Sequence, residues 1–394
     1  MKPFAERMNS QKNKSFGMYE AAAKLEREGA DIIHLEVGRP SADTPLHIKE
    51  AAKTALDNGI VHYGDLQGTL ALREALARRY RERNGLDVGP DEILITNGIT
   101  QSAFAALMTL VDPGDEVIVL EPYYPQHNPK VELLGGKIVP VPLDKSRDFR
   151  LDPEAVARAV TARTKLLILI NPANPVGVAF TQDELAALSE ICIQHDLYLL
   201  ADEVYEFNVY DDTRHVSIAT LPGMRERTVT TSAFTKAYAM DGWRIGYSAG
   251  PRELIAAMNK VTLNDTTHPC VFAQEGALVA VTGSQDCLAQ MVQADRRRRD
   301  LVVERLNAMP GVRCHTPQGT IYALPDFSAL GASSGEMAEA LLHESHVAVE
   351  GGHFYGASGE GHLRICFGAE PYERLEEAMD RIERYLERLA ASGI

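Results

Sequence analysis

The chain lacks any uninterrupted apolar run that approaches the ~18 residues needed to span a bilayer. Its opening residues, Met-Lys-Pro-Phe-Ala-Glu-Arg, also lack the apolar core of a secretory signal. Both absences argue against a membrane-spanning or secreted protein. We therefore expect a soluble, cytoplasmic protein without a membrane partner.

Cysteine is scarce and unpatterned, and positive charge is in deficit. The five cysteines show no CxxC or zinc-type spacing, which predicts free thiols in a reducing compartment and no metal site. The 40 Lys and Arg against 55 Asp and Glu give a net charge of −15. Nucleic acids and anionic membrane surfaces are therefore poor partners.

No GxGxxG fingerprint or Walker-type loop occurs in the chain. Dinucleotide and nucleoside triphosphate sites depend on such glycine-rich turns. A nicotinamide-dependent oxidoreductase therefore loses support.

Strand-like and helix-like segments alternate from about residue 90 onwards. Several of the strand candidates are continuous apolar runs, which indicates strands buried on both faces of a mainly parallel sheet. A helix over 181–195 is predicted to begin at Thr181, because Glu184 follows three residues later as in a capping box. The pattern predicts an α/β fold whose large domain is a three-layer α/β/α unit over residues 45–286. The candidate strands are 92–96, 116–120, 137–141, 165–170, 197–201, 229–232 and 245–249.

After residue 287 the pattern changes from alternating apolar strands and helices to a long charged helix followed by short strands. The length of 394 residues suffices for a second domain. We predict helices over 290–308 and 371–390, with short strands near 312, 321–324, 347–349 and 363–367. This part, 287–394, is predicted to form a smaller α/β domain together with residues 1–44, which include an N-terminal arm and a strand over 31–37. Further helices are predicted over 19–28, 46–58 and 70–84.

Lys236 lies in the connection between two predicted strands of the large domain. A lysine at this place is suited to form a Schiff base with a carbonyl cofactor. Arg244 follows eight residues later and offers a guanidinium for a phosphate.

Other polar residues directly follow predicted strands, where ligands of open parallel sheets bind. Gly98 lies in a strand-to-helix turn whose free N–H groups suit a phosphate, although a plain turn explains it equally well. Asn174 lies between two prolines that fix its amide. Asp202 ends a buried strand and needs a partner, either a protonated heterocyclic nitrogen or an arginine.

Two further residues have a functional and a structural interpretation. Tyr124 offers an aromatic face for stacking, but it could simply belong to the core. Arg364 has apolar neighbours in its strand, so its charge needs either a substrate carboxylate or an internal acid.

Taken together, these residues resemble the fold-type I pyridoxal-phosphate enzymes of the class I/II aminotransferase family, the aspartate aminotransferase-like branch. The resemblance extends over the chain from about residue 30. It rests on four motifs in the family's order: N-P-x-N-P-x-G, A-D-E-V-Y, S-x-F-x-K followed by G-W-R-I-G, and L-R-I-C-F.

The resemblance implies pyridoxal 5′-phosphate as cofactor and transfer of an amino group between an L-amino acid and a 2-oxo acid. Lys236 would carry the cofactor as a Schiff base and move the α-proton. Asp202 would pair with the pyridinium nitrogen, supported by His127. Asn174 and Tyr205 would hold the phenolic oxygen O3′.

The resemblance also implies the remaining contacts. Tyr124 would stack on the ring, and Tyr63 would reach the phosphate of a neighbouring subunit, which implies a homodimer with shared active sites. Arg364 would bind the substrate carboxylate with help from Gly38 and Asn174. The phosphate would be bound by Gly98, Ile99, Thr100 and Arg244.

The chain departs from the family pattern in two places. Ala233 replaces a serine that often binds the phosphate, so Thr235 or Ser232 would have to compensate. Residues 264–269, expected to reach the partner's substrate pocket, contain no arginine, although Arg39 could still bind an acidic side chain. We therefore expect a neutral, aromatic or basic amino donor rather than a strict dicarboxylate.

Alternative functions stay open on the same fold. A lyase, a racemase or a cyclising biosynthetic enzyme would share Lys236, Asp202 and Arg364. A non-catalytic cofactor-sensing regulator is less favoured, since such proteins carry an additional DNA-binding domain.

Overall fold

The computed structural model of the protein describes residues 4–8 and 17–391. Its helices are α1 Met18–Arg27, α2 Leu46–Asp57, α3 Leu70–Arg79, α4 Ile99–Leu110, α5 Asn128–Leu133, α6 Pro153–Ala159, α7 Gln182–Gln194, α8 Phe234–Ala237, α9 Arg252–Asp265, α10 Val271–Thr282, α11 Asp286–Ala308, α12 Ser334–Ser345 and α13 Tyr372–Ala391. The strands are β1 Ile33–His34, β2 Ile93–Thr96, β3 Glu116–Glu121, β4 Lys137–Pro142, β5 Thr164–Ile170, β6 Tyr198–Asp202, β7 Thr228–Ala233, β8 Gly246–Ala249, β9 Tyr322–Ala323, β10 Val347–Ala348, β11 Glu350–Gly351 and β12 Leu363–Cys366.

A seven-stranded sheet in the order β2-β8-β7-β6-β5-β3-β4 forms the centre of the fold. Strands β3 to β7 pair in parallel, whereas β8 runs antiparallel to both of its neighbours. The sheet is therefore mixed and mainly parallel, and the predicted α/β fold is confirmed.

Both faces of this sheet are buried, as the continuous apolar strands predict. Along β5, Leu167 and Leu169 share a core cluster with Leu185 of α7. Leu166 and Ile168 point the other way, into a cluster that includes residues of α4 and α9. Because β strands alternate their side chains, one apolar run thus serves two layers of helices.

The start of α7 has the predicted capping box. Thr181 Oγ1 accepts a hydrogen bond from the backbone N–H of Glu184 at 3.3 Å, and Glu184 Oε2 accepts one from the N–H of Thr181 at 2.8 Å. Two N–H groups at the helix start are satisfied in this way.

Two small sheets lie beside the large one. Strands β11, β12 and β9 form an antiparallel sheet in that order, and β1 pairs in parallel with β10. Helix α13 buries Leu375, Met379 and Ile382 on one side, and these share a core with Ile33 and Val347. The N-terminal segment from Met18 to Leu35 thus packs with the C-terminal part of the chain, while the domain boundaries at 44/45 and 286/287 stay predictions.

The predicted strand over 31–37 is too long, since only Ile33–His34 pairs. Leu35 still makes backbone hydrogen bonds, since its N–H donates to Ala348 and its carbonyl oxygen accepts from Cys366. Further along, two backbone carbonyl groups accept hydrogen bonds from side chains. Arg364 Nη2 donates to the oxygen of Glu36, and Lys236 Nζ donates to the oxygen of Gly38. At Glu36 and Gly38, side-chain donors thus take the place of the N–H groups of a partner strand.

Two other element predictions differ in detail. The helix predicted over 70–84 is α-helical only to Arg79 and continues as a π-helical turn, Tyr80–Asn84. Its last residue is held by a hydrogen bond from Asn84 Nδ2 to Glu206 at 2.9 Å. Near residue 312 there is an isolated bridge of Arg313 with Asp326 instead of a strand.

Within the part of the chain that the structure describes, none of the helices has the length and apolarity of a membrane span. The same residues contain no cluster of three or more His, Cys, Asp or Glu arranged to hold a metal ion.

Candidate active site

A cavity of about 540 Å³ lies at the carboxyl ends of the parallel strands. Asp202 ends β6 and Ile170 ends β5, and both line the cavity, as expected for open α/β sheets. Most of the predicted site residues line it as well: Gly38, Ile99, Thr100, Tyr124, Asn174, Asp202, Tyr205, Lys236, Arg244 and Arg364.

Lys236 belongs to α8, the short helix that directly follows β7. Its side chain is half-buried, and Nζ donates a hydrogen bond to the carbonyl oxygen of Gly38. The amine therefore lies in the cavity wall, where an aldehyde could reach it.

Asp202 is 4% exposed, so its carboxylate must be stabilised. Its oxygen Oδ2 lies 3.6 Å from Nε2 of His127, and Oδ1 accepts a hydrogen bond from the N–H of Val204 at 3.2 Å. Among the described residues no arginine lies within ion-pair distance of Asp202, and the ring nitrogen nearest to its carboxylate is that of His127. The support of Asp202 by His127 stays a prediction.

Asn174 and Tyr205 both line the cavity, from different loops. Asn174 is 4% exposed, and its Oδ1 has no hydrogen-bond partner among the described residues. A buried amide oxygen without a partner is costly, so it suits a ligand group that donates or a water that bridges. Burial, together with the adjoining Tyr322, raises the pKa of Tyr205 well above its ordinary value.

A phosphate cradle, as we call Gly98, Ile99, Thr100 and Arg244, forms at the start of α4. The first N–H groups of this helix have no acceptor within the helix, and its dipole favours an anion. Gly98 has φ 78°, and an added Cβ would lie 2.6 Å from Nη2 of Arg244. A Cβ on Gly246 would lie 2.7 Å from the nitrogen of Ile99. The backbone here approaches too closely for larger residues.

Arg364 is buried in β12 and has no carboxylate within ion-pair distance among the described residues. Cζ of its guanidinium lies 4.5 Å from the ring centroid of Tyr322 and 5.1 Å from that of Tyr355. Nη2 donates a hydrogen bond to the backbone carbonyl oxygen of Glu36. Its Nε is buried without a partner. The internal acid considered as an alternative is present as Glu350, which lies opposite Arg364 in the strand register and attracts its charge. The unpartnered Nε of Arg364 can still donate to a substrate carboxylate in the cavity.

Residues 30–382 match the aminotransferase class I and II family. The chain belongs to this family. It is 41% identical to aromatic-amino-acid aminotransferase 2 of Thermococcus litoralis and 41% identical to aspartate aminotransferase of Pyrococcus abyssi. Each match covers 90% of this chain and 92% of the relative. A solved Thermus thermophilus aspartate aminotransferase with maleate has a TM-score of 0.92 and 39% identity, covering 98% of this chain and 100% of that one.

This aminotransferase family uses pyridoxal phosphate, and the cavity fits that cofactor. Three features support the fit: the lysine amine in the wall, the unpartnered Oδ1 of Asn174 and the cradle that a Cβ would fill. Family membership also makes this chain an aminotransferase, so a lyase, racemase or regulatory function is not favoured.

Ala233, which stands in place of the family's serine, is the last residue of β7. Thr235 lines the cavity, whereas Ser232 is buried and its side chain bonds to Tyr247. Of the two residues considered as compensating for the missing serine, Thr235 is therefore the better placed.

Two predicted residues lie outside this lining. Gly98 belongs to the phosphate cradle and directly precedes Ile99, which does line the cavity. Tyr63 is 90% exposed and contacts the ring of His268 edge-on, with 5.5 Å between centroids. His268 belongs to the 264–269 segment, so the two segments predicted to serve a neighbouring subunit share one surface.

Sequence reasoning missed several residues of the lining. Tyr322, Tyr355 and Glu350 come from the small antiparallel sheet and its loop, and all three lie near Arg364. Glu350 is opposite Arg364 in the strand register. The strand motif around Arg364 points to this sheet, but nothing in the sequence shows which residues face the cavity.

Proposed function

We propose that this aminotransferase takes its amino group from a neutral, aromatic or basic L-amino acid in preference to a strict dicarboxylate. The observation that carries the proposal is the charge of the cavity wall. Among the described lining residues the cations are Lys236, Arg244 and Arg364, and each has another role. A second substrate carboxylate would find no cation there.

The rest of the wall is aromatic and acidic. Tyr19 and Phe354 are partly exposed and lie in the lining, beside Glu36 and Glu350. Aromatic rings favour an apolar or aromatic side chain, and carboxylates disfavour an acidic one. Arg39, considered above as a reader of acidic side chains, lies outside the lining and 3.6 Å from Glu370.

The names of the relatives include both aromatic-amino-acid and aspartate aminotransferases. Those names leave the choice open, and the wall of the cavity favours the first kind.

Each predicted site residue has a role in this proposal. Bound pyridoxal phosphate supplies an electron sink that acidifies the α-proton of the attached amino acid. Lys236 Nζ takes up that proton as a general base. Asp202 would accept a hydrogen bond from the protonated ring nitrogen and so keep the proton there. Asn174 and Tyr205 would hold the ring hydroxyl oxygen, and Tyr124 would stack on the ring.

The phosphate cradle holds the cofactor, and Arg364 holds the substrate. The N–H groups of α4 and the guanidinium of Arg244 bind the phosphate. Arg364 binds the substrate carboxylate, next to the backbone of Gly38. With the cofactor phosphate held by the cradle and the substrate carboxylate held by Arg364, the Cα–H bond would be presented to Lys236, which would raise the rate by orientation.

Donor choice is tested by the absorbance of the purified holoenzyme after single amino acids are added without an oxo acid. We expect the visible band to be lost fastest with aromatic or aliphatic donors. The rates should be about tenfold or more above those with aspartate and glutamate, because one unpaired carboxylate contact costs ~1.4 kcal/mol, which corresponds to a factor of ten. Faster conversion by aspartate than by any neutral donor would contradict the proposal.

We also propose that the enzyme acts as a homodimer with shared sites. Large apolar side chains are exposed close to Tyr63 along the chain, namely Leu56, Ile60, Val61, Leu66 and Leu70. A surface of this kind indicates a protein–protein contact. Tyr63 then reaches the phosphate bound by the partner.

Mixing two inactive variants tests this sharing. A hybrid of Lys236→Ala and Tyr63→Ala subunits contains one site with both native residues, so the mixture should regain activity that neither variant has alone. Sedimentation would show whether dimers are present. Dimers that regain no activity would contradict the shared site, and monomers would contradict the dimer.

A further inference from the structure

Tyr322 contacts both Tyr205, which is proposed to hold the cofactor, and Arg364, which is proposed to hold the substrate carboxylate. It begins β9, whose partner strand β12 carries Arg364. Its hydroxyl lies 3.0 Å from the hydroxyl of Tyr205, and the two rings meet edge-on with 5.8 Å between centroids. Its own ring lies under the Arg364 guanidinium at 4.5 Å. One buried side chain therefore links a cofactor residue to a substrate residue.

The surroundings hold the Tyr322 hydroxyl in place. A Cβ added to Gly38 would collide with the Tyr322 hydroxyl, so the backbone of Gly38 packs directly against it. The carbonyl of Gly38 in turn accepts the hydrogen bond of Lys236. Since Tyr322 is 2% exposed, water does not compete for its hydrogen bond.

We infer that Tyr322 is a positioning residue that couples the Tyr205 hydroxyl to the Arg364 guanidinium. The inference rests on the roles proposed above for Tyr205 and Arg364. A hydroxyl both donates and accepts. In the structure the Tyr205 hydroxyl donates to the hydroxyl of Tyr322. Once Tyr205 donates to the ring oxygen of the bound cofactor instead, Tyr322 turns its own proton towards Tyr205, and the chain of two hydroxyls polarises each bond. Negative charge on that ring oxygen is stabilised as a result.

The two parts of the side chain have separable effects. In Tyr322→Phe the hydroxyl is lost but the ring under Arg364 remains. The pKa read from the pH dependence of the bound cofactor's visible absorption should rise by about half a unit to one unit. KM for the amino acid should change less than about threefold, because the cation–π contact persists.

Tyr322→Leu removes the ring as well as the hydroxyl. It should show the same shift of the pKa together with a KM for the amino acid raised about 3- to 30-fold. Equal KM values for the Phe and Leu variants would contradict the part assigned to the ring.

A matched control is available in Tyr210. It is also buried, its hydroxyl donates to the oxygen of Thr320, and the guanidinium of Arg299 lies 5.0 Å from its ring centroid, but it does not line the cavity. Tyr210→Phe should leave the spectroscopic pKa unchanged. A shift as large as that of Tyr322→Phe would show a general response to losing a buried hydroxyl and overturn the inference.

The double variant Tyr205→Phe/Tyr322→Phe decides between the inference and its premise. If Tyr322 acts through Tyr205, its effect disappears once the Tyr205 hydroxyl is gone, so the double variant matches Tyr205→Phe alone. Additive shifts would overturn the inference while leaving Tyr205 at the cofactor. An unshifted pKa in Tyr205→Phe itself would instead contradict the role proposed for Tyr205.

Discussion

Replacing Glu121 by Gln should loosen the segment that holds Tyr355 against Arg364. Glu121 ends β3 and is buried, and its carboxylate accepts hydrogen bonds from the N–H of Ala357 at 3.0 Å and the hydroxyl of Ser358 at 2.8 Å. The N–H of Ser358 contacts it at 3.4 Å. These bonds tie the large sheet to the loop that follows β11.

The effect can be worked out from the geometry. Oε1 of Glu121 accepts from Ala357 and Oε2 accepts from Ser358, so the amide NH₂ of a glutamine would face the donors of one of these two residues while its oxygen still accepts from the other. Hydrogen bonds to a charged acceptor contribute about 1.5–3 kcal/mol each, so we expect a loss of about 2 kcal/mol. For a chain of this size that lowers the Tm by about 2–4 °C.

A functional change should accompany the loss of stability. Tyr355 accepts a hydrogen bond from the N–H of Tyr123 at 2.9 Å and stacks on Arg364, so a displaced loop disturbs the carboxylate site before the cofactor site. KM for the amino acid should therefore rise severalfold while the visible band of the bound cofactor keeps its position.

Calorimetry and steady-state kinetics on the holoenzyme measure both effects. Ser358→Ala is the matched control, since it removes the hydroxyl but leaves both backbone donors and the charge, and should cost about 1 kcal/mol. The reasoning is refuted if Glu121→Gln is as stable as the wild type, or if its loss does not exceed that of Ser358→Ala.

Three further outcomes are expected. Lys236→Ala should lose the visible band and all turnover, and normal transamination by this variant would contradict its role. Gly246→Ala places a Cβ 2.7 Å from a backbone nitrogen of the phosphate cradle and should weaken cofactor binding by about tenfold in titrations of the apoenzyme, whereas Gly242→Ala, with nothing within 4 Å, should not. His34, whose pKa is raised to about 9 chiefly by its hydrogen bond to Glu36, should stabilise the fold by about 3 kcal/mol below pH 6.5 and lose this as pH rises through 9. Thermal unfolding of His34→Gln across that range measures the difference, which should be close to zero at pH 10.

Much of the central sheet could be predicted from sequence because two local signals mark several of its strands. These strands are short apolar runs such as 165–170, and distinctive polar residues such as Asn174 or Asp202 lie at or just after their ends. A run buried on both faces leaves no alternative pattern. The capping box at Thr181 was equally local, since Glu184 lies within one helical turn.

Other helices lack such local marks. No sequence pattern predicted α9, α10 or α12, although each of these helices buries apolar residues. Helix α10 is rich in small and apolar residues on every side, so its pattern has no polar face to set a period. Its place follows only from packing against α2 and α3.

The site divides in the same way. Lys236, Asp202 and Asn174 were predictable because each follows a strand of the large sheet, and topology alone brings such residues to one edge. Tyr322 was not predictable, because its side chain reaches the cavity only through the pairing of β9 with β12. That pairing joins segments more than 40 residues apart, and the sequence of neither strand specifies its register.

The largest error in the strand predictions lies at the site itself. The run 31–37 has the composition of a strand, yet pairing ends at His34, and the oxygens of Glu36 and Gly38 accept hydrogen bonds from Arg364 and Lys236. Buried cations require such acceptors, and a strand partner would have competed for them. Local propensity therefore failed where two functional side chains needed the backbone, which is where consistency between sequence and fold is expected to break. The interruption of this strand is itself a sign that Lys236 and Arg364 belong to one site.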